Sequence, residues 1–111
     1  MNAAAAVAAV LVAFGYAVVN AFGAWAVVRR RSAFGAAFFL AAVLLTVGGV
    51  AVGYGLPGAV PLVTAGALVA SITSWRNARL VLRRVVPWRH ALRAAAGGVT
   101  IALTLLATAG R

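Results

Sequence analysis

Polar positions are scarce along this chain and fall in clusters, so the clusters divide it into long apolar runs. Residues 1–28, 32–75 and 94–110 carry no charged side chain. The middle run is long enough to be cut in two, and Gly55-Leu56-Pro57-Gly58 cuts it. Glycine reaches dihedrals that other residues avoid, and proline lacks an N–H. A helix needs about 20 apolar residues to cross a hydrocarbon layer about 30 Å thick, because each residue rises about 1.5 Å. The pattern therefore predicts four spans, at about 3–28, 33–54, 59–75 and 89–109. The fourth run is slightly short and lengthens if Arg89 and Arg93 snorkel to the interface. Pro61 suits the first turn of the third helix. Pro87 is expected to stop or kink the segment before the fourth.

Periodicity adds an extension to the third span. Arg76, Arg79 and Arg83 recur at i, i+3 and i+7, while Ala78, Val81, Leu82 and Val85 fall on the opposite side. That is the pattern of an amphipathic helix at a membrane surface. Trp75 and Trp88 bracket it, and Trp25 lies one turn before Arg29, all at the depth where aromatic anchors sit. The expected architecture is all-α: a single transmembrane domain over 1–111, built as a four-helix bundle with a basic amphipathic interfacial extension between helices 3 and 4. The first basic cluster follows its apolar run instead of preceding it, so residues 3–28 read as a retained span and not as a leader.

Charge adds an orientation. The chain is 66% hydrophobic, has 10 basic residues and no Asp or Glu, and carries a net charge of +10. Nine arginines fall into two clusters, Arg29 to Arg31 and Arg76 to Arg93, and only Arg111 stands apart. An even number of spans places both clusters on one side, which the positive-inside rule assigns to the cytoplasm. The expected setting is a multi-pass protein of the cell membrane with both termini outside. A charge of this size raises the question of nucleic acid, but arginines flanking apolar runs are ordinary topogenic signals, and no nucleic-acid partner is expected. The second cluster, Arg76, Arg79, Arg83, Arg84, Arg89 and Arg93, is the candidate contact for a bilayer with anionic headgroups or for an acidic partner protein. Each arginine contributes about 1 kcal/mol near a charged leaflet.

Catalytic chemistry has little to work with. Without carboxylates there are no acid–base dyads, carboxylate metal sites or acidic proton relays. With no Cys and the single His90 there is no zinc site and no triad. Gly48-Gly49 and Gly97-Gly98 lie inside spans, where neither opens a phosphate-binding turn. No enzyme activity, cofactor or metal is expected.

What remains is a set of small and hydroxylated positions within the spans. Asn20 shares a side of span one with Tyr16 and Gly23. Thr46, Gly49 and Gly53 share a side of span two, Thr64 and Ser71 of span three, and Thr100, Thr104 and Thr108 of span four. Small residues let helices approach closely, polar groups bond across helices by about 0.6–2 kcal/mol, and hydroxyls also bond their own i−4 carbonyl. These positions are candidates for helix packing or for lining a pore. The reading that follows is a small non-enzymatic membrane protein acting through helix packing, as an accessory or assembly subunit of other membrane proteins or as a homo-oligomer. The alternative is a pore-former, holin-like or a small channel.

Overall fold

The computed structural model describes residues 3–27, 32–80 and 87–109. They form four helices: α1 (Ala3–Val27), α2 (Ser32–Gly53), α3 (Ala59–Leu80) and α4 (Pro87–Thr108). With 22 to 25 residues each, they are about 33–38 Å long. They run up and down in a bundle of 44 × 24 × 17 Å. Each helix packs on the next, and α4 returns to α1 to close a ring.

Helices α1, α2 and α4 are long and apolar enough to cross a membrane. Helix α3 is as long but borderline in character, because Arg76, Asn77 and Arg79 occupy its last turns. As its periodicity predicts, the helix continues past Trp75 to Leu80 and carries Arg76 and Arg79 on regular backbone. The rest of the expected amphipathic stretch, with Arg83 and Arg84, lies outside the described residues, as do Arg29, Arg30 and Arg31. Pro87 opens α4; at the first helical position the N–H it lacks would have had no intrahelical partner.

The α2–α3 reversal is built by two glycines in the left-handed region, Gly55 (φ 68°) and Gly58 (φ 89°). Leu56 N–H bonds the Ala51 carbonyl at 2.8 Å and Gly55 N–H bonds the Val52 carbonyl at 3.2 Å. This 6→1 and 5→2 pair is a Schellman cap, which satisfies carbonyls the helix end leaves open. The Gly58 carbonyl then accepts from Leu62 N–H at 3.2 Å, starting α3.

The interior is made of small side chains. One cluster, beside the reversal, joins Ala5, Ala6 and Ala9 to Ala51, Val52, Ala59 and Ala107. A second joins Tyr16 and Ala17 to Ala41, Leu45, Val63, Ala67 and Ala70. The large apolar side chains look outward instead, among them Leu11, Phe22, Phe39, Leu68, Ile72 and Leu106. A water-soluble domain buries residues of this kind. An outer shell of Leu, Val and Phe over a core of Ala and Gly suits a hydrocarbon solvent, where close backbone approach and not apolar burial holds helices together.

Glycines set how near the helices come. A methyl group on Gly48 would lie 2.7 Å from Val63 Cγ2 and 3.2 Å from the Val63 backbone nitrogen. One on Gly66 would lie 2.9 Å from Leu45 Cγ. These two positions seat α2 against α3. Gly48→Ala is therefore expected to overpack this seam and to destabilise the bundle by about 1–3 kcal/mol. Gly15→Ala meets nothing within 4 Å and should change stability by less than about 0.5 kcal/mol. Thermal unfolding of both variants in the same detergent checks the contrast; equal melting of the two would mean that the Gly48 contact does not limit packing.

Candidate functional site

Helices α1, α2 and α4 bring Asn20, Phe38 and Arg93 together toward the end of the bundle that carries Arg76, Arg79 and Arg89. Asn20 is fully buried. It sits seven residues before the end of α1, about 10 Å inside by the helical rise. Its Nδ2 donates to the Tyr16 carbonyl at 2.8 Å. Its Oδ1 accepts from Arg93 Nη1 of α4 at 3.3 Å, across a sequence separation of 73. That distance is at the long end for an N–H···O bond, so the intrahelical bond is the firmer of the two.

Arg93 turns inward. The expected snorkel would have carried its guanidinium out along the bundle end, whereas it lies half-buried between α1 and α2. Its Cζ is 5.7 Å from the centre of the Phe38 ring. Phe38 is 3% exposed, and an arginine over a desolvated aromatic face is attracted by the ring quadrupole. The chain has no Asp or Glu side chain to neutralise this cation. A guanidinium held by an amide and a ring inside an apolar bundle is an unusual arrangement, and ionisable groups within spanning helices mark functional positions by default.

The rim around it is aromatic. Trp75 and His90 meet edge to face at 5.1 Å, and Arg89 Cζ lies 5.7 Å from the Trp88 ring. Arg76 and Arg79 are exposed on α3. A groove between α1 and α4 opens beside Arg93. It has a volume of about 440 Å³ and is lined by Val12, Gly15, Tyr16, Val19, Arg89, Leu92, Arg93 and Ala96.

Other sequence candidates pack locally. Gly49 faces α1, where a methyl would lie 2.7 Å from the Phe14 ring, and Gly53 faces Val10 at 3.6 Å. Thr46 is exposed beside the outer α1–α2 crease and donates to the Ala42 carbonyl at 2.8 Å. Thr100 and Thr104 are fully buried and donate to the carbonyls of Ala96 and Thr100, both at 2.7 Å. Thr108 donates to the Thr104 carbonyl at 2.9 Å. Thr64 and Ser71 are half-buried on α3. These hydroxyls do not converge with Asn20 and Arg93 on one point.

Sequence reasoning missed the Asn20–Arg93–Phe38 association and the burial of Asn77. Asn77 is 9% exposed, and its Oδ1 is buried without a hydrogen-bond partner among the described residues. The Tyr16 hydroxyl is likewise buried and partnerless among them. The available signal was an amide on each of α1 and α3 and arginines on α4, all toward one end of the chain's up-and-down path. Comparison with protein-family models, characterised proteins and solved structures finds no match.

The two polar residues of α1 should respond oppositely. Asn20→Leu removes the acceptor of a buried guanidinium and is expected to lower stability by about 0.5–2 kcal/mol. Tyr16→Phe removes a buried hydroxyl that has no partner, and should leave stability unchanged or raise it by up to about 1 kcal/mol. Detergent melting curves of the two variants decide it: a destabilised Tyr16→Phe would mean the hydroxyl has a partner, and an unaffected Asn20→Leu would mean the Arg93 contact carries no net stabilisation.

Proposed function

We propose that this chain is a non-enzymatic integral membrane subunit that acts by helix packing, beside other membrane proteins or with copies of itself. The observation that carries this reading is the back of α4. Ala91, Ala95, Gly98 and Ala102 recur at i, i+4, i+7 and i+11, all exposed. They lie opposite the face formed by Gly97, Thr100, Thr104 and Ala107, which is buried. A methyl group on Gly98 would meet nothing within 4 Å. Only 22% of the most apolar stretch of α4 is buried, against 39% for α1 and 50% for α2. The outward faces of α1 and α2 are large and apolar, as lipid-facing surfaces are. A smooth strip of Ala and Gly is the surface that lets a second helix approach closely.

The alternative, a pore, draws less support from the same residues. Thr100 and Thr104 are buried and bonded to their own helix, which suits packing better than a hydrated wall. The setting we assign is the cell membrane, with the arginine-bearing helix ends in the cytoplasm by the positive-inside rule and the α2–α3 reversal outside.

Gly98→Leu fills the strip without a clash inside the chain. It is expected to abolish self-association or partner retention in mild detergent while leaving the melting temperature of the isolated chain unchanged. Light scattering coupled to size exclusion, with mass spectrometry of co-purifying chains, reads the outcome. An unmodified chain that is monomeric and alone, or a Gly98→Leu chain with the same assembly, overturns the reading. Orientation has its own test. A cysteine replacing the exposed Tyr54 should react with an impermeant reagent in intact cells, and one replacing the exposed Ser32 should react only after the membrane is opened; the reverse pattern rejects the assignment.

A further inference from the structure

We infer that the α1–α4 groove is a binding site for one anionic phospholipid, its phosphate held by Arg89 and Arg93 and its acyl chain laid against α1. The groove lies on a different side of α4 from the Ala91–Ala102 strip, so the inference does not depend on that strip being an interface.

Three observations meet here. The first is charge. Arg89 and Arg93 stand one turn apart at the same edge of the groove, and the chain holds no Asp or Glu that could neutralise either. Arg93 uses one of its five N–H groups for Asn20, which fixes the guanidinium beside the groove and leaves others to donate. Paired N–H groups in a planar fork match the oxygens of a phosphate. Charge this close to hydrocarbon calls for an anion that itself lives at that depth, and a lipid headgroup is such an anion.

The second is shape and polarity. Beyond the arginines the groove is apolar, with Val12 and Val19 on one wall and Leu92 on the other. The small residues Gly15 and Ala96 keep it open, and a methyl on Gly15 would touch nothing within 4 Å. Its volume of about 440 Å³ lies within the usual range of about 300–1,000 Å³ for sites that hold a small molecule. A charged mouth leading to an apolar trough is complementary to an amphiphile with an anionic head.

The third is length. On α4 the groove runs from Arg89 to Ala96, about 10 Å along the axis. That holds a headgroup and the upper part of one chain. It is shorter than the seam along which a spanning helix packs, so a partner helix offering a carboxylate to Arg93 fits less well.

The test uses the full chain purified in mild detergent, with native mass spectrometry counting retained lipid during titration with phosphatidylglycerol, phosphatidylcholine or inorganic phosphate. One phosphatidylglycerol per chain is expected, with neither phosphatidylcholine nor inorganic phosphate displacing it. Gly15→Leu, which fills the groove, should abolish retention. Arg89→Gln and Arg93→Gln should each weaken it about fivefold, the equivalent of roughly 1 kcal/mol per arginine. Arg89 is exposed, so Arg89→Gln is expected to keep the fold even if Arg93→Gln does not. Arg76→Gln and Arg79→Gln should leave retention unchanged. Unaltered retention by Gly15→Leu overturns the site. So does equal loss from Arg76→Gln, which would mean diffuse attraction, or displacement by inorganic phosphate, which would mean a free-anion site. A protein retained through Arg93 in place of lipid overturns it in favour of a partner carboxylate.

Discussion

The distance between helix axes governs this bundle. Where water is the solvent, large apolar residues converge and exclude it; here most of them face out, and the interior is mainly alanine and glycine around a few larger side chains such as Leu45, Val52, Val63 and Phe38. Dispersion contacts fall off steeply with separation, so such a core coheres only if the backbones come close. Gly48 and Gly66 bring α2 onto α3, and Gly49 brings α2 onto α1. The tight α2–α3 reversal holds two of these helices in the register that the close contacts need. The other features rest on that frame, including the burial of Asn20, whose oxygen is reached by Arg93.

Helix α4 is held differently from the rest. It contributes a buried face of Gly97, Thr100, Thr104 and Ala107, yet less of its most apolar stretch is buried than of α1 or α2. Its ties at the arginine end are polar and aromatic: Arg93 to Asn20 and Phe38, His90 to Trp75. Interhelical hydrogen bonds in membranes average well below 1 kcal/mol in careful measurement, so these ties orient the helix more than they stabilise it. The groove beside α1 is the geometric result of an incompletely packed fourth helix.

The four helices were legible from the spacing of the charged clusters and from the reversal at Gly55 to Gly58. The continuation of α3 past Trp75 was legible in the helical spacing of Arg76 and Arg79, and Ala78 and Leu80 give the helix no reason to stop there. The inward turn of Arg93 was not legible. Arginines at span ends ordinarily reach outward, and nothing local to residues 89–93 signals otherwise; the acceptor stands in another helix. The hydroxyl faces were visible as patterns. Their partners were not, because a threonine at helical spacing looks the same whether it bonds its own carbonyl, as Thr104 does, or a neighbour.

The bond between Asn20 and Arg93 joins residues 73 positions apart, and that gap is also an interval of time. At synthesis rates of about 5–20 residues per second, Asn20 is made roughly 4–15 s before its partner. Throughout that interval its side-chain oxygen has entered, or waits to enter, a medium without water. A nascent chain in this condition carries a polar handle that the finished bundle lacks. The ring closes, and the handle disappears, only when α4 arrives.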